Sequence, residues 1–170
     1  MDVVAHGLWG GALFYPQGRK KFVGGLLLGM APDLLSFGVF HVTRPGWIIN
    51  RLAGEMSGPP ALSILPAYVF HAYNFTHSLV VWAVVFFLLW RLTKRPPWLL
   101  GAWGLHILSD IPTHATSYFP TPFLWPFETP FVDGLSWATP EFLIVNYACL
   151  IAVYTWIFLC FRKRSSVPRM

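Results

Sequence analysis

Charge is what this chain has least of. Only 11% of its 170 residues are Asp, Glu, Lys or Arg, where an ordinary soluble domain carries about a quarter. With 55% hydrophobic residues and a mean hydropathy of +0.54, this excludes a disordered, charge-rich tail and argues against a soluble globular domain. Cysteine is nearly absent too. Cys149 and Cys160 fall in one expected helix, about 16 Å apart along its axis, too far to bond to each other. They therefore say nothing about redox compartment. The start lacks the basic stretch of a cleavable signal peptide, so none is expected. Also missing are G-x-S-x-G, a phosphate-binding loop, H-E-x-x-H, a dinucleotide fingerprint and C-x-x-C, which removes most familiar hydrolase and oxidoreductase signatures.

Aromatic residues, by contrast, are abundant: fifteen Phe, nine Trp and six Tyr. That density suits helices that meet a membrane–water boundary. The net charge of +5 could suggest nucleic acid, but the basic residues are grouped. Arg19-Lys20-Lys21, Arg91 with Lys94-Arg95, and Arg162-Lys163-Arg164 with Arg169 each abut an apolar run. This is the positive-inside pattern of a membrane protein, so nucleic acid is not expected as a partner. It places the basic loops and the C-terminal end in the cytoplasm, and the two long connecting stretches outside.

Four segments read as membrane helices: Phe22 to Phe40, His77 to Leu92, Trp98 to Ile111 and Phe142 to Phe161. Val3 to Tyr15 is a fifth, shorter apolar helix, stopped by Pro16-Gln17-Gly18. Lys94-Arg95-Pro96-Pro97 is too short for anything but an antiparallel hairpin. His41 to Thr76, with its Gly58-Pro59-Pro60 break, and Pro112 to Pro140, with six prolines, are expected to form a cap at the outer membrane surface. Gly7-x-x-x-Gly11 and Gly25-x-x-x-Gly29 would let the first two helices approach closely. The expected fold class is all-α: a helical integral membrane protein of about four to five membrane helices with an outer aromatic- and proline-rich cap, residues 1–170 forming one domain.

Ionisable groups inside such helices are expensive and point to function. Five stand out: His6, Asp33, His77, His106 and Asp110. Each lies eleven to fifteen positions from its nearest cytoplasmic basic group, or roughly 16–22 Å along a helix. All five therefore share one layer in the outer half of the bilayer. A divalent metal is the partner that would offset two buried carboxylates and fix three imidazoles. His106 and Asp110 stand at i and i+4 on one helix face, and His114 could curl back to the same site after Pro112. Bland alternatives exist: a lone buried His hydrogen-bonded to a neighbour, Asp33 as a helix cap, Asp110 in a structural bridge. His41 reads as a surface residue and His71 is ambiguous. Glu141 reads as a first-turn acid of the last helix. Tyr73, Asn74 and Thr76 are candidates to support the ligands by hydrogen bonds. Ser78 and Ser109 are expected to point away from His77 and Asp110, their neighbours in sequence.

Asp2-x-x-x-His6-Gly7, Ala31-Pro32-Asp33, Thr76-His77-Ser78 and His106-x-x-x-Asp110 with His114, in that order along nearly the whole chain, resemble the LexA-regulated inner-membrane metal-dependent hydrolases. That family is regarded as a distant membrane relative of zinc-dependent phospholipase C and the zinc single-strand nucleases. The resemblance implies His6, His77, His106, Asp110 and His114 as metal ligands and Asp33 as ligand or catalytic base. The soluble relatives add a His-x-x-x-Glu pair, but Trp137 stands four before Glu141 here. One or two ions, zinc first, are therefore expected rather than three. Ala72-Tyr73-Asn74 replaces the His-Arg-Gly of many members. The expected activity is hydrolysis of a phosphoester in a membrane lipid or lipid-like substrate. The alternatives are a metal or proton transporter using the same layer, and a non-catalytic metal-binding protein.

Overall fold

The computed structural model describes residues 1–54, 60–128 and 130–165, and among these it is helical with no strand. The Gly58-Pro59 break and Arg169 lie outside the described residues. Helix α1 (Val3–Phe14) opens with Asp2 as its cap: the carboxylate accepts the Ala5 N–H at 2.9 Å. Pro16 and Gly18, the latter at φ +96°, turn the chain into α2 (Arg19–Asp33). Pro32 lies inside α2. A wide, π-type turn follows at Leu34–Gly38, where the Ser36 hydroxyl donates to the carbonyls of Pro32 (3.0 Å) and Asp33 (3.3 Å). Such turns are frequent at functional sites. The path resumes as α3 (Val39–Thr43), so Arg19–Thr43 forms one apolar run of 25 residues.

The α1–α2 pair is the most extensive contact in the molecule. Small residues make it possible. A Cβ on Gly10 would collide with the Gly25 carbonyl, one on Gly25 with the Gly10 carbonyl, and one on Gly29 with the His6 carbonyl. The glycine seam expected from sequence is therefore real, with Gly10 as an added member.

After α4 (Pro45–Leu52) and a short turn at Leu62–Ile64, α5 (Ala67–Thr76) runs to His77 and breaks. Ser78 restarts the chain as α6 (Leu79–Thr93), its Oγ accepting the N–H groups of Val80 (3.1 Å) and Val81 (3.2 Å) while the hydroxyl donates to the Trp125 carbonyl (2.5 Å). The two helices meet at 59°, and His77 sits at the corner. The expected hairpin forms next: Lys94 takes φ +55°, and α7 (Gly101–Asp110) returns beside α6, with Trp82 Nε1 donating to the Leu100 carbonyl at 2.8 Å. Residues 112–139 then form the cap. Its last part lies against its first, through Gly134 N to His114 O (2.9 Å), Leu135 N to Pro112 O (2.9 Å) and Trp137 N to Thr113 O (3.0 Å). Only glycine fits at 134, since a Cβ there would strike the Pro112 carbonyl. Finally α8 (Pro140–Ser165) packs on α1 through Trp9 Nε1 to Asn146 (3.0 Å), Tyr147 to Asp2 (3.0 Å) and Tyr154 to the Leu8 carbonyl (2.8 Å).

Among the described residues, two helical segments, Arg19–Thr43 and Pro140–Phe161, are long and apolar enough to cross a membrane, or three if α5 and α6 count as one bent span. This corrects the expected four to five. α1 has twelve residues and α7 ten, so they measure only about 18 and 15 Å, where a hydrocarbon core is about 30 Å thick. In the outer stretch, α5 is amphipathic: Val69, Tyr73 and Thr76 are buried, the first two in a cluster with Phe40, Leu65 and Phe119, while Tyr68, His71 and Phe75 are exposed.

Candidate metal centre

Four helices converge to bury a set of groups that are polar in an otherwise apolar interior. His6 comes from α1, Asp33 from the end of α2, His77 from the α5–α6 corner, and His106 and Asp110 from one face of α7. All five are buried. His6 Nε2 lies 2.9 Å from Asp110 Oδ1. His106 Nε2 lies 3.2 Å from Asp110 Oδ2 and 3.9 Å from Asp33 Oδ1. His77 Nε2 is 3.5 Å from both Asp33 Oδ1 and Asp110 Oδ2. Two overlapping triplets, His6–Asp33–His106 and His77–His106–Asp110, each bring their ligand atoms within 4.8 Å of one another, close enough to hold a metal ion.

The backbone fixes the imidazoles in a telling way. His106 Nδ1 is 2.7 Å from the Gly29 carbonyl, His77 Nδ1 is 3.1 Å from the Tyr73 carbonyl, and His114 Nδ1 is 2.7 Å from the Phe119 carbonyl. A carbonyl can only accept, so each Nδ1 must carry the proton. In the neutral ring the Nε2 lone pair is then bare and directed inward, as in metal-binding histidines held by a backbone carbonyl. His106 Nε2 and His77 Nε2 face each other at 3.0 Å. Two bare lone pairs at that separation repel unless a positive centre lies between or beside them. A proton can answer that pair, and protons on His6 and His106 can answer Asp110 across 2.9 and 3.2 Å; Asp33 Oδ2 keeps no hydrogen-bond partner. The donor set of three imidazoles and two carboxylates also fits a cation.

Stacking orders the rest. The His6 ring lies on His106 (3.6 Å between centroids) and Tyr73 on His77 (3.8 Å). Thr76 Oγ1 sits 3.0 Å from His77 Nδ1, and the Tyr73 hydroxyl donates to the Phe119 carbonyl at 3.1 Å and lies 3.2 Å from His114 Nδ1. Phe119 adopts φ +48°, a left-handed conformation that costs about 1–2 kcal/mol. It delivers one carbonyl to both Tyr73 and His114.

Tyr73 and Thr76 thus play the supporting part expected of them, whereas Asn74 has no hydrogen bond to the five. His114 sits at the edge: its Nε2 reaches Asp110 Oδ1 at 3.4 Å, but it belongs to neither triplet. Glu141 is exposed in the first turn of α8, and His71 is exposed on α5. Ser109 turns away from Asp110 but still reaches the centre: its hydroxyl donates to the His106 carbonyl (2.8 Å) and lies 3.4 Å from His6 Nδ1. On a helix, i and i+3 share a face, a spacing that could have flagged it. The amino group of Met1 contacts Asp110 Oδ1 at 2.5 Å, which no side-chain pattern reveals.

A cavity of about 530 Å³ opens on this centre from the cap side, within the usual range for small-molecule sites. Asp33 and His114 line its floor, and Phe37, Trp47, Phe119 and Trp137 its walls. Tyr118 closes one side, its hydroxyl donating to the Pro60 carbonyl at 2.8 Å while burial pushes its pKa to about 12. The two carboxylates differ: the Asp110 side chain is 1% exposed, the Asp33 side chain 12%. Comparison with family models, curated proteins and solved structures finds no match to this chain.

Proposed function

We propose that the protein is a membrane-embedded, metal-dependent hydrolase that cleaves a phosphoester of a lipid-like substrate. The observation that carries this is the convergence of His6, Asp33, His77, His106 and Asp110 into two triplets whose ligand atoms lie within 4.8 Å of one another, with His77 Nε2 and His106 Nε2 facing each other at 3.0 Å. His6, His77, His106 and Asp110 would hold one or two ions, zinc first, with His114 and Asp33 completing the side toward the cavity. When bound, a divalent ion supplies Lewis-acid activation of water and of the scissile ester.

The chain's own groups divide the remaining work. Asp110 touches four imidazoles from its buried position and organises them. Asp33 is the carboxylate of the centre that lines the cavity, with Oδ2 free of any hydrogen bond, whereas Asp2, also on the cavity wall, caps α1. It takes the proton of the attacking water as general base. The aromatic walls exclude bulk water and accept the apolar part of the substrate. The order of the Asp2/His6, Asp33, His77 and His106/Asp110 motifs, which resembles the inner-membrane metal-dependent hydrolases, supports hydrolysis over other metal chemistry. The grouping of basic residues supports an inner-membrane location with those loops in the cytoplasm.

Elemental analysis of purified protein tests the site directly. Wild-type protein should carry near-stoichiometric zinc, and His106→Ala and Asp110→Ala should lose it. Asp33→Asn should keep the metal and lose phosphoester turnover. Full metal content in both the His106 and Asp110 variants would overturn the assignment.

A further inference from the structure

A second cavity lies against the first. It has a volume of about 640 Å³, and Leu34, Gly38, Val39 and Val42 of the wide turn and α3 line it. Val3, Asp33, Phe37 and His41 line both cavities, so the two share those side chains as a common wall. The outer rim is apolar and open: Leu34, Leu35, Val39 and Val42 are among the exposed large hydrophobic residues. They sit on one of the two segments apolar enough to cross a membrane, so the lipid bilayer is the solvent that suits them. The geometry is therefore a lipid-facing groove whose inner end meets a polar chamber at Asp33.

His41 stands at that junction. Sequence alone placed it on the surface, but it is half-buried and held edge-on against Trp47 (5.2 Å) and Phe40 (5.5 Å). Its Nδ1 is 2.6 Å from the Phe37 carbonyl, which fixes the proton there in the neutral ring. Nε2 has no partner among the described residues. Neither cavity is lined by a lysine or arginine. Beyond the proposed metal ligands, His41 is the one imidazole on the walls available to a substrate's polar group.

We propose that the groove along Leu34–Val42 takes an acyl chain of a phosphate-bearing membrane lipid, that its headgroup enters the aromatic chamber past Asp33, and that His41 is the residue that positions the phosphate, its Nε2 lone pair accepting the hydrogen bond of a phosphate monoester's P–OH. The proposal rests on the hydrolase reading for the identity of the headgroup, but its groove can be tested without turnover or metal. The wide turn gives a clean way to fill the groove. Gly38 has ordinary helical torsions (φ −59°, ψ −42°), and a Cβ added there meets Leu34 no closer than 3.4 Å. A larger side chain at 38 therefore occupies the groove without backbone strain.

The experiment uses the full chain in nanodiscs containing a trace of phosphatidic acid with a photoreactive diazirine at the end of one chain. Irradiation and peptide mapping should concentrate label on residues 34–43, severalfold above residues 144–151 of α8, which include the exposed Ile144, Val145 and Ile151. Gly38→Leu should reduce label on 34–43 severalfold with zinc content unchanged. His41→Gln should keep the labelled position but lose the preference for phosphatidic acid over an uncharged diacylglycerol analogue. Soluble glycerol phosphate should not compete, because it lacks the chain. Equal label on 34–43 and α8, or label unaffected by Gly38→Leu, would overturn the proposal. Groove-selective label in a protein that binds no zinc would leave the groove standing and overturn the hydrolase reading instead.

Discussion

Helices α7 and α8 make opposite use of their residues. α8 is 26 residues long, mostly exposed, and its first 22 residues can cross a membrane. It supplies none of the grouped His and Asp ligand atoms. α7 has ten residues, too few to cross, yet half of them are buried and two belong to the centre. The segment most recognisable as a membrane helix carries the least internal architecture. The segment that fails the length test carries the most. A long apolar helix satisfies its backbone by itself and needs lipid outside. A short one must be held by neighbours, and those neighbours bring the polar groups together.

Substitutions on the two helices can break this contrast. The largest effect belongs to α7: His106→Ala should abolish zinc retention, with affinity falling by more than the roughly 10–100-fold typical of losing a partner behind a ligand. Ile151→Ala on α8 should leave metal content at the wild-type value, read by the same elemental analysis. Next comes the seam beneath α7. Gly25→Leu should destabilise the fold by about 3 kcal/mol, the upper end for overpacking, whereas Ile144→Leu on α8 should stay within about 0.5 kcal/mol. Thermal melts in detergent distinguish the two. Smaller again, Ser78→Ala removes the α6 cap and should cost about 1 kcal/mol, with the readout a lower melting temperature.

The smallest effect lies in the cap. Asp133 accepts from the Thr116 N–H (2.7 Å) and hydroxyl (2.8 Å), and these bonds hold its carboxyl below the ordinary value of 3.8. A group depressed in the folded state stabilises above its unfolded pKa, and that contribution disappears as the pH falls through the lowered value. A carbon-detected NMR titration should find Asp133 titrating below 3.8, and Thr116→Val should bring it part of the way back, because the N–H remains.

Much of this arrangement was legible in the sequence. Counting residues from the basic groups placed His6, Asp33, His77, His106 and Asp110 at one depth, and they do meet. The apolar runs also located the Arg19–Thr43 segment, α6, α7 and α8 within a few residues. Span number was less legible, because apolarity marks a segment as buried or lipid-facing without saying whether it reaches both surfaces; α1 and α7 are apolar but short. α5 was hidden because a helix buried on one side by Phe119 and Phe40 gives a weak pattern among prolines and aromatics. His41 was hidden for a related reason: its environment is made by Trp47 and the wide turn after Pro32, neither of which has a fixed geometry in sequence. Local spacing could identify Ser109, but not Met1, whose contact depends on α1 lying across α7.

The carbonyls that hold the imidazoles belong to three separate places: Gly29 in α2, Tyr73 in α5 and Phe119 in the cap. A newly inserted chain whose helices have entered the bilayer without finding one another therefore lacks the right tautomers as well as the right neighbours. The Nε2 atoms are therefore aimed at one centre only once α2, α5, α7 and the cap have packed together, so the geometry of that centre is a product of assembly rather than of any single helix.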